Sequence, residues 1–403
     1  MNTEFFSRFE PLKRLFFRFW RPGLLVLSLA TIAYLLYFRR LGLLLPGYST
    51  NELQTFTSST DWHKLVNNPV DLPYKLLVWL FSAIGHHSIL AARVVAACFG
   101  TLAALTFFLV IRGWYTFRVA FLGTVLFATS AGFLHSARMG TAEILQMAVL
   151  GLLAFVGWYR ENRDHRPLIG YGLAAILALL WYVPGMLWLE LFGALVAWKI
   201  VVHQLRRVPL KHTLGWSGVF LAVLAPLIYA SVRDPGILLA AGGLPNSLSD
   251  ITHWPQNALD AVLSVGIRSD GNPLHWVGHV PLLNAAELVL GAIGLYYYVY
   301  QERSMQAWYL TGSVFICWLL ISFHGSVGFA AVLPLFYLFI IHGLDHFLVR
   351  WMTVFPRNPI ARLTGIGVVS LLLFFSVLYQ TRAYFVAWPH NTAVRAAYSL
   401  PKP

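Results

Sequence analysis

The chain has 403 residues, 58% of them hydrophobic and 11% charged, with 29 Lys plus Arg against 16 Asp plus Glu and a net charge of +13. A soluble domain carries about a quarter charged residues, and the apolar residues here come in runs of about 18–22, the length that crosses a hydrocarbon core, so a water-soluble fold is excluded. A membrane β-barrel would need short alternating segments, and the basic excess reads as Lys and Arg gathered in cytoplasmic connections rather than as a footprint for nucleic acid.

Taken in order, residues 1–22 combine five basic residues with aromatic ones, as expected of a cytoplasmic interfacial helix. The run from Gly23 to about Tyr37 is followed by no small-x-small cleavage site, so it is read as a retained first span with the N-terminus inside. Residues 39–88 form a first outer loop, whose segment Lys75–Ile84, closed by Gly85-His86-His87, lies at the outer surface. Spans two to four are Ile89–Ile111, Val119–Leu134 and a descending run to Trp158, with Ser136–Glu143 as a tight outer turn and RENRDHR (160–166) inside. Spans five and six, Leu168–Tyr182 and Met186–Val202, meet outside at Pro184-Gly185, and span seven is Leu214–Ala230. A second outer segment, 233–280, follows, rich in Gly, Pro, Asn, Ser, Asp and His. Spans eight to eleven are Leu282–Tyr300, Trp308–Phe323, Phe329–Phe347 and Leu363–Tyr379. The expectation is one all-α polytopic domain over residues 1–403, with about eleven spans, in the cell membrane.

The 16 carboxylates are sparse enough that Asn51, Glu52, Asp61 and Asp71, all in the first outer loop, ask for a reason. A carboxylate at the mouth of a membrane cavity can take a proton from an acceptor hydroxyl or orient a cation; beside a helix start it can equally be a solvated end group favoured by the dipole. The second cluster is Ser136-Ala137-Arg138-Met139-Gly140-Thr141-Ala142-Glu143. Its Arg fork suits a phosphate, unless Arg138 and Glu143 simply pair across the turn. Lys75, Arg93 and Arg233 sit at the level of outer-leaflet headgroups, where lone cations snorkel. His253, His275 and His279 share the second outer segment with Asp250, Asp260 and Asp270. These are zinc- or calcium-ligand types, but ordinary loop residues as well, so no metal is assigned and a divalent cation is left open. His324 flanks the tenth span, near a substrate phosphate or packed at the interface. Cys98 and Cys317 lie inside apolar runs and read as packers. No phosphate loop follows a strand, which disfavours an ATP-driven pump.

These features in this order resemble the GT-C glycosyltransferases, specifically the bacterial branch of the dolichyl-phosphate-mannose protein mannosyltransferase family (glycosyltransferase family 39), which includes the aminoarabinose transferases acting on lipid A. The resemblance rests on Asn51-Glu52 after the first span, Leu72-Pro73-Tyr74 leading to Gly85, Ala92-Arg93-Val94 with Phe99-Gly100-Thr101, and Arg138 with Glu143. Val332-Leu333-Pro334-Leu335 is similar to a Pro-bearing helix in that family. It covers about residues 20–160. The family usually has Asp-Glu where this chain has Asn51-Glu52, and relatives often read His-Pro-Pro near Leu72-Pro73-Tyr74.

The resemblance implies transfer of a sugar from a polyprenyl-phosphate donor held by membrane lipid contacts to an acceptor outside the cytoplasm. On that reading Glu52, helped by Asp61, deprotonates the acceptor, and Arg138, Glu143, Lys75, Tyr74 and His324 line the donor site. Asn51 cannot accept a proton, so either Glu52 or Asp61 does that work or the activity has been lost. The alternatives are a non-catalytic relative that binds polyprenyl-phosphate lipid as a scaffold or partner subunit, and a secondary transporter. The second would place charge at mid-membrane, where Glu190 is the main candidate.

Overall fold

The computed structural model describes residues 27–85, 88–161, 166–245, 253–276, 278–302 and 304–400. The expected interfacial segment 1–22, His86-His87, Asp250 and residues 162–165 of the basic connection lie outside these. The described chain is helical apart from an isolated antiparallel bridge between Tyr48 and Leu400. That is the arrangement a bilayer enforces, since a helix pairs its backbone N–H and C=O groups within its own segment.

α1 (Leu27–Phe38) leads into the first loop. This loop folds into α2 (Thr50–Thr60), α3 (Trp62–Asn67) and α4 (Leu72–Ile84). Asp61 ends α2 and caps α3, its carboxylate accepting from His63 N at 3.0 Å. α5 (Leu90–Trp114) is a full span of 25 residues, about 37 Å at the helical rise. Its exposed Leu102, Leu105 and Leu109 recur on one face, the face left for lipid.

The expected third span is bent. α6 (Phe117–Thr129) and α7 (Ala131–Arg138) meet at Ser130 at 63°. Ser130 leaves helical geometry (φ −63°, ψ 142°) and its hydroxyl caps α7 by accepting from Phe133 N. After the turn at 139–141, Ala142–Ala148 forms a 3-10 segment that runs into α8 (Val149–Glu161). α9 (Arg166–Leu180) follows, then α10 (Met186–Val196) and α11 (Trp198–Arg207), which bend by 74° at Ala197.

α12 (Leu210–Arg233) is the next long span, and the second outer segment contains α13 (Pro235–Ala241) and α14 (Trp254–Gly266). The bundle closes with α15 (Ala285–Tyr297), α16 (Met305–Ser322), α17 (Phe329–Val354) and α18 (Pro359–His390), and ends in α19 (Thr392–Ala397). α17 is the central post, buried at every position of 330–344 except Phe336.

α15 and α17 touch backbone to backbone at two glycines. A Cβ on Gly294 would strike Phe339 O, and one on Gly343 would strike Leu290 O. Small residues that admit such an approach drive helix pairing in lipid, where apolar burial gives little advantage.

Among the described residues five helices are long and apolar enough to cross a membrane by themselves, and the two bent pairs raise that to seven. The expectation of about eleven goes further. Leu27–Phe38, Ala142–Gly157 and Leu168–Leu180 are apolar as expected, but their helices are shorter than a bilayer core. Apolar runs reveal depth in lipid, whereas the positions where helices break follow from caps and bends.

Candidate functional site

Two arginines fasten the first loop to the bundle. Arg93, in the second turn of α5, points into the protein and is fully buried. Its Nε donates to Glu52 Oε1 at 2.7 Å and one terminal nitrogen to Glu52 Oε2 at 2.8 Å, while other N–H groups reach Leu41 O and Gly47 O. Arg138, at the end of α7, donates to Leu36 O at 2.6 Å and Arg39 O at 2.8 Å, and lies over the Phe385 ring.

Glu52 is the N3 residue of a capping box with Ser49. Its Oε2 accepts from Ser49 N at 3.0 Å and its Oε1 also takes Gly140 N at 2.8 Å. Four N–H donors therefore surround one carboxylate that is 0% exposed. Asn284 and Glu287 repeat the device at the start of α15, where Glu287 additionally accepts from Tyr337, Ser376 and Gln380.

In front of these struts lies a cavity of about 380 Å³ whose wall includes His135, Glu143, Asp270, His275, His324 and Tyr384. α7 carries His135, the 3-10 segment carries Glu143, and the loop after α14 carries Asp270 and His275. That loop is tied down at both ends: His279 bonds Ser269 O through Nδ1 at 2.9 Å, and Tyr398 of the C-terminal tail donates to Leu274 O at 3.0 Å. His275 Nδ1 is 3.8 Å from a Glu143 oxygen.

Of the residues expected at the site, Glu143 and His324 reach the cavity wall. Glu52 stands behind it, and the expectation that it is an open base is corrected by its geometry. With Arg93 bidentate and two backbone N–H groups on its oxygens, no side of the carboxylate is left for an acceptor hydroxyl. The two terminal nitrogens of Arg138 hold backbone carbonyls where a phosphate was expected, and its Nε is buried without a hydrogen-bond partner. It does not pair with Glu143, whose ion-pair partner is His275.

Asn51 is exposed on α2, and Asp61 caps α3 beside Lys64, 3.9 Å away. Tyr74 is buried and donates to Ala92 O at 2.7 Å. Lys75 is buried and donates to Asn68 O at 2.9 Å; burial lowers its pKa, against the pull of Asp71. Asp71, at φ 61°, starts α4, and burial raises its carboxyl to about 7, with Glu143 adding to the rise and Lys75 opposing it. His279, which shares the second segment with His275, is engaged with Ser269 O. His135 and Asp270 are the wall residues that the sequence did not single out as a pair. The only signal was the position of His135 beside the Ser136–Glu143 cluster.

Fold and cavity together define a polytopic helical membrane protein whose polar cavity is walled by α7, the 3-10 segment after it, the loop after α14 and parts of α16, α17 and α18. No family model matches the sequence, and no curated protein matches it. Solved structures share the fold, two of which are forms of one protein. ArnT from Cupriavidus metallidurans in the apo state aligns with a TM-score of 0.55 at 14% identity, over 94% of this chain and 77% of that one. ArnT from the same organism bound to undecaprenyl phosphate aligns with a TM-score of 0.50 at 14% identity, over 92% and 76%. The likeness at this identity is one of fold.

Proposed function

We propose that the protein is a membrane glycosyltransferase that moves a sugar from a polyprenyl-phosphate donor to an acceptor on the extracytoplasmic side. The observation that carries this is the polar cavity holding Glu143 and Asp270, set in an ArnT-like fold. The neighbour solved with undecaprenyl phosphate supports a lipid-phosphate donor. A second, apolar groove of about 790 Å³, lined by Leu152, Leu177, Leu189, Leu221 and Tyr309, is wide enough for an isoprenoid chain. Helix α16 borders both spaces: Ile321 faces the cavity and Leu310 the groove.

In the transfer step the acceptor hydroxyl loses its proton to a cavity carboxylate and attacks the anomeric carbon as the lipid phosphate leaves. General-base help of this kind is worth about 10²–10⁴-fold in rate. Glu143 and Asp270 are the carboxylates on the wall, and Glu52 supports the turn that presents Glu143 through Gly140. Membership of the family 39 branch agrees with the motif order, and the sugar and acceptor are left to experiment.

The test is to incubate the purified protein with a panel of polyprenyl-phosphate sugars and measure free polyprenyl phosphate. Wild type is expected to release it from at least one donor, and Glu143→Gln and Asp270→Asn each to lower release at least about 100-fold without loss of fold. Tight donor binding without any release would favour the second reading, a non-catalytic lipid-phosphate binder. The observation favouring that reading is the complete occupation of Glu52 by Arg93 and two backbone groups.

A further inference from the structure

A phosphate leaving a sugar carries developing negative charge, and sites that promote the step place positive charge there. The described wall of the cavity contains no Lys or Arg. Arg93 and Arg138 are not part of that wall: Arg93 is held by Glu52, and the two terminal nitrogens of Arg138 by backbone carbonyls. What the wall does contain is a set of metal-ligand side chains drawn from three segments. One ligand atom each from His135, Glu143 and His275 lies within 4.8 Å of the other two.

The geometry points to a divalent transition-metal site, of the zinc class, formed by His135, Glu143 and His275, with a further coordination position open to the cavity. Two imidazoles and one carboxylate match the three-ligand sets of open zinc sites, whereas calcium and magnesium prefer oxygen alone. Ligand atoms about 2.0–2.1 Å from a tetrahedral ion stand about 3.3 Å apart, and His275 Nδ1 to Glu143 Oε2 is already 3.8 Å.

An ordinary His275–Glu143 ion pair does not account for the third member. His135 is 6% exposed, and its Nδ1 is buried with no hydrogen-bond partner. An orphaned imidazole nitrogen of this kind is costly unless a partner arrives. Its ring is held edge-on to Trp388, at 5.0 Å between centroids, and to His275, at 5.3 Å. The ligand segments are braced from outside the set, Glu143's turn by Gly140 N on Glu52 and the His275 loop by Tyr398 on Leu274 O. Ligands fixed in advance in this way are what a metal site needs.

Glu143 then serves as a ligand, and Asp270 is the wall carboxylate left to take the acceptor proton. That the open position receives a donor phosphate oxygen rests on the transfer reading; that an ion binds at all does not.

The experiment therefore omits any sugar donor. The full chain, purified in detergent without a histidine tag and stripped with chelator, is titrated with Zn²⁺ and, separately, with Co²⁺. One ion per chain is expected by elemental analysis, with visible d–d absorption from Co²⁺ and a higher unfolding temperature with Zn²⁺. His275→Asn, on the partly exposed ligand, and Glu143→Gln are each expected to weaken Zn²⁺ binding at least tenfold and to abolish the thermal shift. Substoichiometric Zn²⁺ in the wild type, or unchanged affinity in a folded His275→Asn, overturns the site. Failure of sugar transfer with the ion bound would overturn the transfer reading and leave the site standing.

Discussion

Glu52 shows how one residue can be legible in type and illegible in role. Its place in a Ser-x-x-Glu pattern announces a helix start, and its rarity in an apolar chain suggested chemistry. The structure spends it on Arg93, 41 positions away, a pairing that no local pattern contains. Removing one partner of a buried pair leaves an uncompensated charge, so Arg93→Ala is expected to destabilise the protein by about 3–5 kcal/mol. Unfolding followed by denaturant titration in detergent measures this.

Asp71 allows a second test at this scale. Its carboxyl is raised from the ordinary 3.8 to about 7 by burial. Between those values the folded state holds a proton that the unfolded chain has released. Its contribution is therefore fully present below the lower value and is lost as pH rises through the upper one. Stability is expected to fall from about pH 4 to pH 7, with a shallower slope in Asp71→Asn when thermal unfolding is followed across that range.

At the scale of elements, the apolar runs located α5, α12, α16, α17 and α18 well, because hydrophobic length is a direct consequence of crossing lipid. They did not locate the bends at Ser130 and Ala197. Each bend depends on a few backbone angles, with a side-chain cap at Ser130 alone, and these leave the hydropathy of the run unchanged. The bend at Ser130 matters most, since it turns α7 so that His135 faces the cavity and Arg138 faces the first loop.

The α15–α17 contact was equally hidden: Gly294 and Gly343 lie 49 positions apart, and nothing in either run marks the other as its neighbour. Gly343→Ala forces those backbones apart, with an expected loss of about 1–3 kcal/mol and a lower unfolding temperature. An unchanged unfolding temperature would show that the helices do not meet there.

For the whole molecule, the order of polar segments along the chain was enough to suggest a GT-C arrangement, and the fold is similar to that of ArnT. Glu143 and His324, both named from the sequence, line the cavity. The sequence could not show that His135 and His275, 140 positions apart, would face each other, because that depends on how a bent helix and the loops beside it come to rest. One of those loops is held by the tail: Tyr398 bonds Leu274 O, and Leu400 pairs with Tyr48. Tyr398→Phe is expected to speed hydrogen exchange in residues 268–281 while leaving exchange in α5 and α17 unchanged.

The clasp between Tyr48 and Leu400 brings together two strips 352 positions apart, the second made long after the first. Throughout synthesis and insertion the earlier strip must wait unlatched, and the histidine-bearing loop with it. The cavity wall includes residues as late as Trp388, and Tyr398 straps one of its loops, so a nascent chain halted before them would be threaded through the bilayer with that hollow still open on one side.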